Sequence, residues 1–115
     1  PMGISATGIY KRNRTFHTLH EETLQIFDFQ NVRYFRSQSE SISINNIKKN
    51  AIIISSSGMC NGGRILHHLY NRLPKANDTV LFVGYQSEGT RGRKILDGEK
   101  MTRIFGEDVQ VNCRI

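Results

Sequence analysis

One pattern in the sequence restricts the fold more than any other. An apolar run ends in a turn of small residues, and a basic amphipathic segment follows it. The pattern spans Ile52–Tyr70 and recurs in Val80–Leu96. An apolar run, a glycine-containing turn and a helix, in that order, are typical of a buried strand–loop–helix unit. Two such units in tandem predict a parallel sheet whose two loops are adjacent at one edge.

The rest of the chain predicts further elements around these units. Helices are predicted from apolar spacing and capping residues at 2–13, 17–27, 39–47, 63–73 and 90–96. Strands are predicted from apolar and β-branched runs at 31–36, 51–55 and 79–85. A C-terminal hairpin is predicted to join 103–105 to 109–115 through a turn at 106–108. The sequence thus predicts one α/β domain over residues 1–115, a three-layer fold with a mostly parallel sheet flanked by helices and a C-terminal β-hairpin.

The charge of the chain indicates an anionic partner. The net charge is +6, and nucleic acid is the commonest anionic partner of a basic domain, although many basic domains bind no polyanion. Between Ala51 and Ile95, six basic residues stand against two acidic ones. Three of the six, Arg91, Arg93 and Lys94, lie near the start of the helix predicted at 90–96, where they oppose the helix macrodipole. Their position is favourable if they meet phosphate.

Membrane and secretory classes are disfavoured. No apolar run approaches the roughly 20 residues of a membrane span, and no signal peptide is visible. Cys60 and Cys113 belong to no C-x-x-C motif, which predicts a reduced, cytoplasmic setting. The start at Pro1 rather than at methionine is interpreted as a sign of excision from a longer protein.

The first glycine-rich turn has the spacing of a phosphate-binding loop without its chemistry. Gly58–Ile65 matches G-x-x-x-x-G-K-[ST], but Arg64 replaces the lysine and Ile65 replaces the magnesium-binding hydroxyl. This excludes an ATPase or GTPase, and the lack of G-x-G-x-x-G disfavours a dinucleotide site. An anion cradle at the helix start remains, with His67 on its ligand-facing side. Glycines that only allow close strand–helix packing are the alternative.

The sequence contains no recognisable catalytic or metal-binding constellation. His17 and His20 form only H-x-x-H, and no serine–histidine–acid arrangement is evident. Cys60 lies near a predicted helix start and Arg64, where its pKa could fall, although a small buried side chain is the alternative. No catalytic residue and no metal ligand are therefore predicted in this chain.

Three blocks of the sequence resemble a known family. They are IIISSSGMCNGGRILHHL, TVLFVGYQSEGTRGRKIL and IFGEDVQVNCRI, and the opening PMGISATGIYKR adds a weaker match. They are similar to the β-CASP domain of the metallo-β-lactamase-fold nucleases. That group includes bacterial and archaeal RNA nucleases, ribonuclease J and the nuclease that cleaves eukaryotic pre-mRNA 3′ ends.

The resemblance implies a parent enzyme that hydrolyses phosphodiester bonds in RNA with two zinc ions. In the family these ions are bound by an H-x-H-x-D-H motif and other residues of the metallo-β-lactamase part, and RNA is held between that part and the β-CASP domain. This chain has no H-x-H-x-D-H, no preceding acidic motif and no G-F-S-A-H-A-D-like segment. It is therefore expected to hold no cofactor and to be inactive alone. The implied partners are single-stranded RNA, with DNA as an alternative, and the metallo-β-lactamase part of the same parent chain.

Together, the residues and the resemblance predict an RNA- or phosphate-binding rim. Its predicted members are Ser56, Ser57, Gly58, Met59, Gly62, Gly63, Arg64, His67, Gln86, Gly89, Thr90, Arg91 and Arg93. Two other functions remain open. One is a stand-alone module that binds a nucleotide or another small anion. The other is a structural or dimerisation scaffold, in which the apolar Phe27, Phe29 and Ile115 belong to an interface, with a homodimer as one form.

Overall fold

The computed structural model describes residues 2–25 and 28–115. The chain divides into two compact units, Pro1–Ser41 and Ile42–Ile115. No helix among the described residues is both long and apolar enough to cross a membrane.

The first unit is helical. Helix α1 spans Met2–Arg12 and α2 spans Glu21–Gln25, with a 3-10 turn at Arg14–Phe16 between them. The helix predicted at 2–13 is confirmed. The helix predicted at 17–27 is shorter at its start, and positions 26 and 27 lie outside the described residues.

The prediction of a strand at 31–36 is wrong, because these residues form no strand pairing with any described part of the chain. Helix α3, Gln38–Ser43, begins directly after them. The backbone N–H groups of Arg36 and Ser37 donate to the Glu40 carboxylate at 2.8 and 2.9 Å. The Glu40 N–H in turn donates to the Ser37 hydroxyl at 3.2 Å. This reciprocal capping box makes Ser37 the N-cap, so the helix begins one residue before the predicted start at position 39.

The second unit carries the core. Helix α4 spans Ile65–Arg72, α5 spans Arg91–Leu96, and strands β1, Met101–Ile104, and β2, Glu107–Gln110, form an antiparallel hairpin. The helices predicted at 63–73 and 90–96 are confirmed. The C-terminal hairpin is also confirmed, although its strands span 101–104 and 107–110 rather than the predicted 103–105 and 109–115. The buried core consists of Cys60, Leu69, Leu73, Ile95, Ile104, Val109, Val111 and Cys113.

The predicted three-layer parallel sheet is not present among the described residues. Neither 51–55 nor 79–85 is part of a ladder in the described part of the chain, and 79–85 contributes only Thr79, which forms an isolated parallel bridge to Arg114. Ile52 and Ile54 are 92% and 95% exposed, so the expectation that 51–55 is buried on both faces is wrong. Burial on both faces requires covering layers on each side of a sheet, and this unit supplies none for these side chains. The structure is a mixed fold of helices and extended segments with a small C-terminal hairpin.

The hairpin turn lies one residue earlier than predicted. The ladder pairs Met101 with Gln110 and Ile104 with Glu107, which leaves Phe105 and Gly106 as a two-residue loop. Both loop residues have positive φ, 54° and 85°, as this type of turn requires. Phenylalanine is unusual at such a position, where asparagine and glycine dominate, so the sequence alone favoured a turn that began at Gly106.

One basic residue of the predicted charge excess has a structural role. The Arg72 guanidinium donates from Nη2 to the carbonyl oxygens of Ile44, Asn45 and Ile47, at the 3-10 turn Ile44–Asn46 and just after it. Its Nη1 donates to the Asp78 carboxylate at 3.2 Å. A cation is favourable where helical carbonyls end, so Arg72 fastens this turn to α4.

Candidate nucleic-acid interface

The two glycine-containing loops contact each other directly. Loop 1 is defined as residues 55–64 and loop 2 as residues 84–90, and together they form the two-loop surface. The Ser87 N–H donates to the Met59 thioether sulfur at 3.3 Å. The Gly92 N–H donates to the Met59 carbonyl oxygen at 3.0 Å. The adjacency of the two loops, predicted from the tandem units, is confirmed.

Loop 1 supplies caps for the start of α5. The Arg91 N–H donates to the Asn61 side-chain oxygen at 2.9 Å, and the Arg93 N–H donates to the Thr90 hydroxyl at 3.2 Å. Because the Gly92 N–H donates to the Met59 carbonyl oxygen, the first three N–H groups of α5 all have hydrogen-bond partners within the protein. The start of α5 is therefore closed by the protein itself, and any ligand contact there falls to side chains.

The basic residues of α5 also make contacts within the protein. The Arg91 guanidinium donates to the Cys60 carbonyl oxygen from Nη1 and to the Arg103 carbonyl oxygen from Nη2. It thus joins loop 1 to β1. The Arg93 Nε donates to the Asp97 carboxylate at 2.8 Å, an i,i+4 ion pair. These contacts give a structural reason for the basic residues in the first turn of α5. The sequence alone had suggested contact with phosphate as the reason.

Gln86 lies inside loop 2 and is only 4% exposed. Its Nε2 donates to the carbonyl oxygens of Gly84 and Tyr85, both at 3.2 Å. Its Oε1 has no hydrogen-bond partner among the described residues and lies against Gly92, where an added Cβ would overlap it. Gln86, predicted as a ligand contact, therefore has a packing role in the structure, and so has half-buried Met59.

Both loops have exposed residues, and those of loop 1 lie next to the start of α4. Ser56, Ser57 and Gly58 are exposed, and Gly63 adopts φ 82° close to the Ser56 carbonyl oxygen. Helix α4 begins behind them, and Arg64 at its N-cap position has helical dihedral angles and makes no side-chain capping bond. The N–H groups of Leu66 and His67 already donate to the carbonyl oxygens of Gly63 and Arg64, at 3.2 and 3.1 Å. What this helix start offers an anion is therefore the positive end of its dipole and the exposed side chains of loop 1, not a set of free N–H groups.

The two adjacent histidines of α4 face different surroundings. His67 is half-buried, and its ring lies 4.8 Å, centroid to centroid, from that of Phe105. His68 is 4% exposed, and its Nδ1 lies 3.0 Å from the Asn45 side-chain oxygen. Burial, and then the neighbouring His67 and Arg72, lower the pKa of His68. His67 is thus the more accessible histidine. The adjacent Phe105, 56% exposed, was missed because nothing in its local sequence marks it.

Cys60 is a buried side chain, 3% exposed, at the centre of loop 1. Burial raises the pKa of its thiol, and the nearby Arg91 guanidinium opposes that effect only in part. Burial also raises the pKa of the Cys113 thiol. The alternative of a small buried side chain therefore fits better than a reactive thiolate.

The residues do not fit a zinc centre. Across residues 2–25 and 28–115, no three His, Cys, Asp or Glu side chains come together in an arrangement that could hold a metal ion.

Comparison with known proteins identifies the family. The Beta-Casp domain family matches residues 1–95. Ribonuclease TTHA0252 of Thermus thermophilus is 39% identical over 64 residues, which is 56% of this chain and 15% of the relative. The transcription termination factor FttA of Methanococcus maripaludis is 33% identical over 110 residues, 90% of this chain and 16% of the relative. An RNase J-like protein of Methanocaldococcus jannaschii is 32% identical over 80 residues, 70% of this chain and 18% of the relative.

The chain therefore belongs to the β-CASP domain family, as its sequence blocks predicted. It spans less than a fifth of the length of each of these three relatives.

Proposed function

We propose that the two-loop surface binds single-stranded RNA within a zinc-dependent β-CASP ribonuclease, and that residues 1–115 alone do not hydrolyse RNA. Family membership and the ribonuclease names of two relatives support this function. The observation that carries it is the exposure of Ser56, Ser57 and Gly58 in loop 1, beside the positive dipole end at the start of α4.

Loop 1 is proposed to make the direct contacts. The hydroxyls of Ser56 and Ser57 donate to phosphate oxygens, Gly58 lets the RNA backbone approach closely, and Arg64 adds positive charge. Such contacts do not depend on base sequence and weaken as salt rises. Loop 2 shapes the surface, because Gln86 packs inside it and its backbone is fastened to loop 1.

We further propose that residues 1–115 form part of a β-CASP domain in a longer cytoplasmic protein. Besides Ile52 and Ile54, Leu81 and Val83 are 80% and 92% exposed. Exposed apolar side chains grouped along extended segments mark a surface that another structure covers. Further strands and helices of the parent would cover this face and complete the three-layer sheet. The two zinc ions and the catalytic groups would belong to its metallo-β-lactamase part.

In the alternative, a second copy of the chain covers these four exposed apolar side chains in a homodimer. Phe29 and Ile115, 60% and 42% exposed, also favour an interface, whereas Phe27 lies outside the described residues. Sedimentation of the chain over a range of concentrations separates the two cases. Self-association that Leu81→Lys abolishes would support the homodimer, and a monomer at all concentrations would support coverage by the parent chain.

The test of RNA binding is an amide chemical-shift titration with a short single-stranded RNA at low and then moderate salt. We expect shifts clustered at Ser56–Arg64 and Gln86–Lys94 that fade as salt rises. Arg64→Gln should weaken binding and lower its salt dependence, whereas Lys75→Gln, a change of equal charge at an exposed lysine outside the surface, should do so less. No clustered shifts at low salt would contradict the proposal. Saturable binding of a mononucleotide alone would favour the small-anion module.

The proposed lack of activity has its own test. The purified chain is incubated with labelled RNA in the presence of zinc, before and after a second purification. We expect no cleavage in either sample. Zinc-dependent cleavage that persists through repurification would show that the chain contains catalytic groups that its sequence does not reveal.

A further inference from the structure

A polar cavity of about 250 Å³ lies between α5 and the start of β1, beside the two-loop surface. Its walls come from both loops, from α5 and from β1. The residues that matter here are Asn61, Gly89, Arg91, Lys94, Thr102 and Arg103. Thr102 and Arg103 are outside the rim that the sequence predicted, so the cavity extends the candidate interface onto β1.

The charge of the cavity favours an anion. Arg91, Lys94 and Arg103 contribute three positive charges, and Glu99 contributes the single carboxylate. Lys94 is exposed and forms no ion pair with any described residue. The Arg91 guanidinium is held by two backbone carbonyls, so its position is fixed before a ligand binds. Fixed donors lose little freedom on binding, which favours affinity.

Thr102 adds a neutral donor to the same cavity. It lines the cavity, and its hydroxyl makes no hydrogen bond to any group that the structure describes. This hydroxyl is not one of the buried side-chain atoms that lack a partner, so it is open to solvent or to a ligand. An oxygen atom of a bound ligand could therefore accept its hydrogen bond.

We propose that this cavity binds a phosphate group. Guanidinium, ammonium and hydroxyl donors together match the oxygens of a phosphate. The volume is slightly below that of pockets for drug-sized ligands, and the lining contains no aromatic ring on which a base could stack. It thus suits a phosphate with its ribose rather than a whole stacked nucleotide. The inference rests on the proposed function only where the phosphate is taken to come from an RNA backbone.

The experiment follows the amides of Lys94, Thr102 and Arg103 during titrations with three probes. The probes are inorganic phosphate, adenosine 5′-monophosphate and a short RNA without terminal phosphates, each compared with chloride at equal ionic strength. Shifts with the RNA assign a backbone phosphodiester, and shifts with the other two assign a phosphomonoester. Either result supports the cavity as a phosphate site. No shift of these amides beyond the chloride control with any probe overturns it.

The outcomes also separate this proposal from the RNA-binding function. If RNA shifts the loop 1 amides and none of the three probes shifts the cavity amides, the phosphate site alone is overturned. If phosphate shifts the cavity amides while RNA leaves the loop 1 amides unshifted, the phosphate site is supported and the proposed function is contradicted.

Thr102→Val gives the sharpest variant, because it removes the hydroxyl and keeps the shape of the side chain. We expect phosphate binding to weaken about threefold to tenfold while the melting temperature is nearly unchanged, since the hydroxyl makes no hydrogen bond to any described group. A variant that folds and binds phosphate as the original chain does would overturn the role of Thr102. If it fails to fold, Lys94→Gln decides. A loss of about threefold relative to Lys75→Gln supports the site, and equal affinities overturn it.

Discussion

Gly92→Ala tests the contact between α5 and loop 2, because two effects of the added methyl group oppose each other. In a helix, alanine is favoured over glycine by roughly 1 kcal/mol. Gly92, however, is buried, and its Cβ would overlap the Gln86 Oε1 and lie 3.2 Å from the Met59 carbonyl oxygen. Gln86 cannot move aside easily, because it is 4% exposed and its Nε2 is bound to two carbonyls.

The steric effect should exceed the helix preference. Overpacking a close contact costs about 1–3 kcal/mol, and displacing Gln86 puts two hydrogen bonds at risk at about 0.5–1.5 kcal/mol each. After the gain of roughly 1 kcal/mol for alanine, a net loss of about 2 kcal/mol in the free energy of unfolding is expected. For a unit of this size that lowers the melting temperature by about 10 °C.

Thermal and urea denaturation of four chains measure the effect. They are the original chain, Gly92→Ala, Gln86→Ala and the double variant. Since Gln86→Ala removes the obstructing atom, the double variant should be more stable than the sum of the single effects by about 1–2 kcal/mol. Gly3→Ala is the control for helix preference, because Gly3 lies in α1 with no atom within 4 Å of an added Cβ. An unchanged or raised melting temperature for Gly92→Ala, or a coupling energy near zero, would refute the reasoning.

Three further predictions follow from buried groups. Arg72→Met leaves the carbonyl oxygens of Ile44 and Asn45 and the carboxylate of Asp78 without their partner. The free energy of unfolding, measured by urea denaturation, should fall by about 3 kcal/mol or more, and by less in Arg72→Lys. Equal stability of the two variants would contradict this. The lowered pKa of His68 means that the unfolded chain binds more protons, so stability should fall as pH drops below about 6.5 and level off below the folded pKa. His68→Asn should flatten that part of the stability curve, and an unaltered slope would exclude His68 as its source. Cys60 and Cys113 should react slowly with a thiol reagent at neutral pH and quickly in urea, and fast labelling of the folded chain would contradict their burial.

The helices of the second unit could be predicted because their signals are local. In α4, apolar residues recur at helical spacing and Pro74 follows its end. In α5, Thr90 is a standard N-cap residue and Gly98 ends the helical segment with φ 94°. These patterns need no knowledge of the rest of the fold.

The exposure of the extended segments could not be predicted in the same way. The run at 51–55 is as apolar as a strand covered on both faces, yet Ile52 and Ile54 are exposed in this chain. Burial depends on what packs against a segment, and a local pattern records only that the segment is suited to being covered.

In the candidate site, too, the local features could be predicted and the packing could not. Glycines and serines predicted the position of loop 1. Gln86 of loop 2 and Met59 of loop 1 were assigned to the binding surface, although both side chains pack inside the protein. The direction of a side chain in an irregular loop has no periodic signature. Asn61 was missed for a related reason, because it caps a helix 30 residues further along the chain.

That long-range cap determines when the surface can appear during folding. Helix α5 has six residues, far fewer than the roughly 12–15 that an isolated helix needs in water. Its initial N–H groups find two of their three acceptors at Met59 and Asn61, so the helix gains them only after a distant part of the chain has arrived. Bringing the two segments together costs chain entropy, and the hydrogen bonds that offset this cost form only after the loop has closed. The two-loop surface should therefore form late, together with the hydrophobic core, and a peptide of α5 alone should be largely unstructured.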